Sequence, residues 1–101
     1  MRDGIIQRFE YSIDSFWKFL KIYLETDRGM AIEPSSPRSV LRVSLTHQLV
    51  TQEEFKILED CVSDRNLTSH TYNEKIAEEI YAHIPRYYRT MKAVIDRVSM
   101  P

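Results

Sequence analysis

The sequence predicts an all-α fold: an antiparallel, four-helix-bundle-like domain with two long helices and two short ones between them. Apolar residues recur at steps of three and four in two long stretches, one near each end of the chain. Only 2 glycines and 4 prolines interrupt 101 residues, and no useful stretch alternates apolar and polar residues as a strand does. This length fits a single domain spanning residues 1–101.

The first long helix is predicted from one continuous apolar stripe. Its inward positions are Ile6, Phe9, Ile13, Phe16, Leu20 and Tyr23. Gly29 follows and can adopt the left-handed conformation that ends helices. Ile5, Trp17 and Leu24 widen the stripe beyond what one neighbouring helix covers. We therefore expect this helix to contact two partners or a second subunit.

Two short helices are predicted in the middle of the chain. Ser36 followed by Pro37 is a typical helix start, and the first short helix runs to about Gln48. Thr51 and Glu54 have the spacing of a capping box, which begins the next helix. Its inward positions are Phe55, Leu58 and Val62.

A second long helix is predicted near the end, capped by Asn73 or Thr71. Its inward positions are Ala77, Ile80, Ile84, Tyr87, Met91, Val94 and Val98. Pro85 lies inside this pattern and removes one backbone hydrogen bond, so we expect a kink or a short break near residues 82–85. Because the apolar period continues across Pro85, a kink is favoured.

Composition excludes several classes of protein. The formal net charge of -1 argues against a broad nucleic-acid surface, so any RNA contact would be local. Arg86, Arg89 and Lys92 could guide RNA, but a solvated, charged helix face is the favoured explanation. Cys61 is the one cysteine, and the three histidines show no metal-ligand spacing. We expect no metal and no cofactor. With neither a signal peptide nor a membrane-spanning stretch, we expect a cytoplasmic protein.

One polar segment resists explanation as a solvated face. Residues 64–73 combine a guanidinium, an imidazole, a phenol and several hydroxyls. Arg65 and His70 would point about 140° apart on one helix, so they converge only if the helix ends between them. An arginine fork that holds a phosphate and an imidazole that exchanges a proton are sufficient for metal-free RNA cleavage.

A structural explanation of the same residues remains open. Arg65 could pair with Asp60 or Asp64, and His70 could cap helix carbonyls. Tyr72 could be a buried ring with a bonded hydroxyl. Spacing alone does not decide between these alternatives.

The string RNLTSHTY at residues 65–72 resembles the Arg-x4-His-x-Tyr motif of the HEPN superfamily. The resemblance is to the branch paired with minimal nucleotidyltransferases, known as nucleotidyltransferase substrate-binding proteins. It also covers residues 2–25, 36–42 and 58–85, which together form most of the chain.

This resemblance implies a helical homodimer in which the two motifs meet in a cleft at the interface. In toxins of the family, Arg and His act in a metal-independent ribonuclease, and the partner nucleotidyltransferase inhibits it by adding AMP to the tyrosine. By position, Arg65 would bind phosphate, His70 would be the acid and base, and Tyr72 would be modified. Asn66 would support phosphate contacts, and Glu10 would orient the cluster.

The chain also departs from its relatives. They carry a further amphipathic helix ahead of the segment matched here, and we expect this chain to lack it. Part of the stripe around Phe9, Phe16 and Trp17 would then be covered by another subunit or stay exposed.

Three functions remain open at this point. The first is the ribonuclease toxin of a toxin-antitoxin pair, with a minimal nucleotidyltransferase as antitoxin and RNA as substrate. The second is a non-catalytic substrate-binding subunit of a two-component nucleotidyltransferase. The third is a folded, inactive remnant.

Overall fold

Four helices make up the fold in the computed structural model, which describes residues 4–33, 35–71 and 73–99. They are α1 (Gly4–Asp27), α2 (Pro37–Thr46), α3 (Gln52–His70) and α4 (Glu74–Ser99). None of the described residues forms a strand, and the all-α prediction is confirmed. α1 packs against the other three helices, and α3 packs against α2 and α4 as well. Among the described helices, none is long and apolar enough to cross a membrane.

The apolar stripe of α1 forms the centre of the core. Its buried side chains are Ile6, Phe9, Ile13, Phe16, Leu20 and Leu24. Tyr23, predicted to face inward, is only partly buried, whereas Leu24 is fully buried. Trp17 is partly buried and Ile5 is exposed. Leu24 is therefore covered within this chain, and Ile5 is not. The expectation that Phe9 and Phe16 need another subunit or stay exposed is wrong, because both are buried by the chain itself.

The predicted end of α1 and the predicted starts of α2 and α3 are confirmed by backbone geometry. Gly29 has a φ of 64°, the left-handed conformation that a glycine adopts without strain. The Ser36 hydroxyl accepts a hydrogen bond from the backbone of Ser39. Thr51 and Glu54 form both hydrogen bonds of a capping box, at 3.1 and 2.9 Å. These caps satisfy backbone N–H groups that would otherwise lack partners at the helix starts.

The third helix is not short, and that part of the sequence prediction is wrong. α3 has 19 residues and continues to His70 through the polar segment expected to be a loop. The apolar pattern weakens after Val62, but polar side chains take over the contacts with α1. Arg65 and Thr68 both bond to Glu10 of α1, which holds the last two turns of α3 in place.

The fourth helix is continuous over 26 residues, with Pro85 inside it. No break occurs near residues 82–85, and the kink remains a prediction. The Asn73 side chain accepts from the backbone N–H of Ile76 at 2.9 Å, which makes Asn73 the cap. The inward positions are buried as predicted, except that Val98 is only partly buried.

An ion pair joins the start of α3 to the end of α4 and makes stability depend on pH. Arg97 donates to both carboxylate oxygens of Glu54 at 2.8 Å, which lowers the pKa of Glu54 below its ordinary value of 4.5. Because the pKa of Glu54 is lower in the folded state than in the unfolded state, the ionised carboxylate stabilises the fold. This stabilisation is complete above the unfolded-state pKa and is lost as the pH falls through the folded-state pKa. The free energy of unfolding of the wild type, measured with urea, should therefore decrease as the pH falls below about 4.5. The expected loss is about 1 kcal/mol, because solvent screens this pair.

The matched variant is Glu54→Gln, which keeps the size of the side chain and cannot titrate. Its stability should fall less steeply than that of the wild type over the same acid range. Parallel curves for the two proteins would show that the pair contributes nothing to the pH dependence.

Candidate functional site

The guanidinium of Arg65 is held against α1 by two carboxylates one helical turn apart. Its Nε and Nη2 donate to the two oxygens of Asp14 at 3.3 and 3.1 Å. Its Nη1 donates to Glu10 at 3.3 Å and to the hydroxyl of Ser69. The pKa of Arg65 is raised, first by its hydrogen bonds to Asp14, although partial burial acts in the opposite direction. The charge is therefore permanent, and the planar group is fixed in orientation.

Glu10 is the buried member of this group, with 8% of its surface exposed. Besides Arg65, it accepts a hydrogen bond from the hydroxyl of Thr68, which is also buried. A buried carboxylate is tolerated when charged and polar partners satisfy it. The predicted association of Glu10 with the motif is therefore present in the geometry.

Asp14 is a residue that the sequence reasoning missed. It makes two of the described hydrogen bonds to Arg65, more than Glu10 does. The signal was available, because Glu10 and Asp14 lie four residues apart and so share a side of α1 next to the apolar stripe.

His70 is the last residue of α3, and its side chain is exposed. The expectation that a helix end must separate Arg65 from His70 is wrong, because both lie on α3. They nevertheless border one surface depression of about 250 Å³, together with Asn66, Ser69 and Trp17. We call this depression the motif cleft. It brings the predicted phosphate and proton-transfer residues to one surface, although Arg65 is already bonded to carboxylates.

The structural alternative for the motif is partly correct. Arg65 does pair with carboxylates, but these are Glu10 and Asp14 of α1 and not the expected Asp60 or Asp64. Within the described ranges, no hydrogen bond from the His70 ring to a helix carbonyl is found.

Tyr72, the predicted modification site, lies outside the described residues. Its immediate neighbours are Thr71, which closes α3, and Asn73, which caps α4.

Asp64 precedes Arg65 but bonds to α4 instead of α1. Its Oδ2 lies 2.9 Å from His83 Nδ1 and 2.6 Å from the hydroxyl of Tyr87. Burial, with smaller effects from Asp64, raises the pKa of Tyr87, so this hydroxyl is the donor. The polar segment therefore contacts α1 on one side of α3 and α4 on the other. No group of three or more possible metal ligands is found in the described ranges.

Comparison with known proteins agrees with this architecture. A family model described as "nucleotidyltransferase substrate binding protein like" matches residues 1–100. The chain belongs to this family. A crystal structure of a Thermus thermophilus protein is similar to this family member, with a TM-score of 0.86 and 41% sequence identity. The match covers 94% of this chain and 78% of the other. No curated protein matched the sequence.

Proposed function

We propose that this family member is the non-catalytic binding subunit of a two-component nucleotidyltransferase. In this role it acts as a homodimer and presents the end of α3 and the adjoining Tyr72 to the catalytic partner. The family description supports the coarse assignment. The observation that carries the choice is the state of Arg65, whose three guanidinium nitrogens all donate to side chains of the same chain.

Charge in the motif cleft explains why this observation favours binding over cleavage. A nuclease needs a cation that is free to stabilise the negative charge developing on a phosphate. Here one guanidinium faces two carboxylates, so an incoming phosphate would meet Glu10 and Asp14 at the same place. Displacing Arg65 from Glu10 would separate a buried carboxylate from this cation, which is costly.

A metal-independent ribonuclease toxin, inhibited by AMP on Tyr72, is the second candidate. It is favoured by the shared position of Arg65, Asn66 and His70 around the motif cleft and by the exposure of His70. In this alternative, RNA is the substrate, the nucleotidyltransferase is the antitoxin, and an AMP group two residues from His70 would repel or block an RNA phosphate.

One experiment separates the two candidates. The wild type, His70→Ala and the control His47→Ala are each purified with and without a cognate minimal nucleotidyltransferase. We expect all three to form the complex, and none to cleave RNA in the presence of EDTA, because His70 would not be catalytic. Intact mass of the co-produced protein, compared with Tyr72→Phe, reports whether the tyrosine accepts a nucleotide.

Failure of the wild type to bind the nucleotidyltransferase would overturn the proposed binding role. RNA cleavage by the wild type and by His47→Ala, with loss in His70→Ala, would replace it with the ribonuclease.

A further inference from the structure

An apolar groove lies between α1 and α4, on the side of α1 that faces away from the motif cleft. One depression, of about 650 Å³, lies at the Gly4 end, and a second, of about 500 Å³, lies beside Phe19 and Ile95. Tyr11 and Tyr88 line both depressions, which therefore form one continuous surface. We call this surface the α1–α4 groove. Among the described residues, none that lines it also lines the motif cleft.

The side of α1 that borders this groove carries less charge than a solvated helix face. Its residues recur at steps of three and four: Gly4, Arg8, Tyr11, Ser15, Phe19 and Ile22. Arg8 is the only charged residue among these six, although 29% of the chain is charged. Tyr11 is 74% exposed and Ile22 is 60% exposed. An uncharged stripe with large exposed apolar side chains is typical of a helix face that binds another protein surface.

The shape of the α1–α4 groove fits a second copy of the same chain. Tyr11 projects from α1 next to the depression that Phe19 borders. Ser15 lies midway between them, four residues or about 6 Å from each, and its small side chain allows another helix to approach closely. A two-fold axis at Ser15 would make the two copies of α1 antiparallel and place each Tyr11 opposite Phe19 of the other copy. The projection and the depression are therefore self-complementary.

The charges near the ends of α1 fit the same arrangement. In an antiparallel pair centred on Ser15, Arg8 lies opposite Ile22 of the second copy. Its long side chain leans towards the start of its own helix, and so towards the end of the other. Asp27 and the helix dipole place negative charge at that end. Within the described ranges, neither Arg8 nor Asp27 has an ion pair inside its own chain. Each is therefore available to the second copy.

The area of this face is sufficient for a dimer. α1 has 24 residues and is about 36 Å long, and two helices side by side are about 20 Å wide. The resulting face of about 700 Å² is close to the roughly 800 Å² that each partner buries in a stable complex. We expect a dissociation constant in the micromolar range, because the area lies at the lower end of this class. Below that concentration, unfolding is that of the single chain.

We propose that the α1–α4 groove is the surface through which two copies of this chain form the homodimer. This inference rests on the proposed function, which includes a homodimer but assigns no surface to it. Ser12 of the groove and Asp14 of the motif cleft point about 160° apart on α1. Dimerisation through the groove therefore leaves both motif clefts open, and each copy presents its own Tyr72 to a catalytic partner. The arrangement differs from the one that the resemblance implies, in which the two motifs meet at the interface.

Sedimentation velocity of the full chain, with no nucleotidyltransferase present, measures the dimer. At concentrations well above the dissociation constant, the wild type should have twice the 12.0 kDa mass of one chain. Ser15→Glu should weaken the dimer by at least about tenfold, because two carboxylates would meet at the axis. Tyr11→Ala should weaken it about tenfold, the loss typical of an aromatic interface residue. The matched control, Leu67→Ala, removes an apolar side chain that is 42% exposed on α3. It should change the dissociation constant by less than about twofold.

Disulfide trapping tests the position of the axis. Ser15→Cys should form a cross-linked dimer on mild oxidation, because the two thiols would face each other. The native Cys61 is buried and should not react. The matched control is Ser63→Cys, which places a thiol at an exposed position of α3 and should remain a single chain on a denaturing gel.

A monomeric wild type, or a dimer that Ser15→Glu leaves intact, would overturn this interface. A dimer that is lost in Leu67→Ala and kept in Tyr11→Ala would also overturn it, by placing the contact near the motif. Equal cross-linking of Ser15→Cys and Ser63→Cys would show random collision and have the same consequence. A wild type that dimerises through this face and binds no nucleotidyltransferase would overturn only the proposed function.

Discussion

Arg65→Ala is expected to destabilise the fold by about 2–3 kcal/mol, because it leaves the buried Glu10 carboxylate without its cation. Two helices are joined here, through Glu10 and Asp14 on α1 and Arg65 on the last turns of α3. Thr68 would remain as a hydrogen-bond partner of Glu10, which keeps the loss below that of a fully isolated charge. Urea unfolding at neutral pH measures the change.

The interpretation of that result depends on a second substitution. Adding Glu10→Gln to Arg65→Ala removes the carboxylate charge that Arg65 had paired with and should recover much of the lost stability. Arg38→Ala, which breaks an exposed pair with Glu59 at 3.7 Å, should cost less than about 1 kcal/mol. If Arg65→Ala were no more destabilising than Arg38→Ala, the site at Arg65 would contribute little to the fold. Any loss of function in Arg65→Ala could then be assigned to chemistry alone.

Phe9→Ala is expected to cost about 3–5 kcal/mol, because it creates a cavity at the centre of the core. Phe9 is completely buried, and its ring stacks on Tyr87 of α4 with a centroid distance of 5.9 Å. Domains of this size have about 5–15 kcal/mol of total stability, so the variant should be close to unfolding. Thermal and urea unfolding, followed by circular dichroism, measure the loss.

Tyr11→Ala is the matched control for Phe9→Ala, since it removes an aromatic ring from α1 where 74% of the residue is exposed. It should change stability by less than about 1 kcal/mol. A cost for Phe9→Ala equal to that of Tyr11→Ala would contradict the packing of α1 against α4.

The helices and their caps were predictable because each depends on residues close together in the sequence. The Ser36 cap and the Thr51 capping box need only the next few residues, and the apolar period of α4 continued across Pro85. The end of α3 was not predictable in the same way. Its last turns are stabilised by Arg65 and Thr68 reaching Glu10, more than fifty residues earlier in the chain.

The same distinction between local and long-range contacts applies to the candidate site. The motif identified Arg65 and His70, and both border the motif cleft. It gave no information on Asp14 or on the contact between Asp64 and His83, because those depend on how α1 and α4 pack around α3. Local patterns therefore select the residues of this site, and tertiary packing selects the partners that determine what those residues can do.

The adjacent residues Asp64 and Arg65 also limit where the chain can tolerate an inserted residue. One extra residue placed between them would turn everything beyond it by about 100° and shift it by about 1.5 Å along the axis. Arg65 could then no longer reach Asp14 while Asp64 stays with His83 and Tyr87. Insertions should therefore be accepted in the connection between α1 and α2, whose described residues bear no such double attachment, and rejected in the second half of α3.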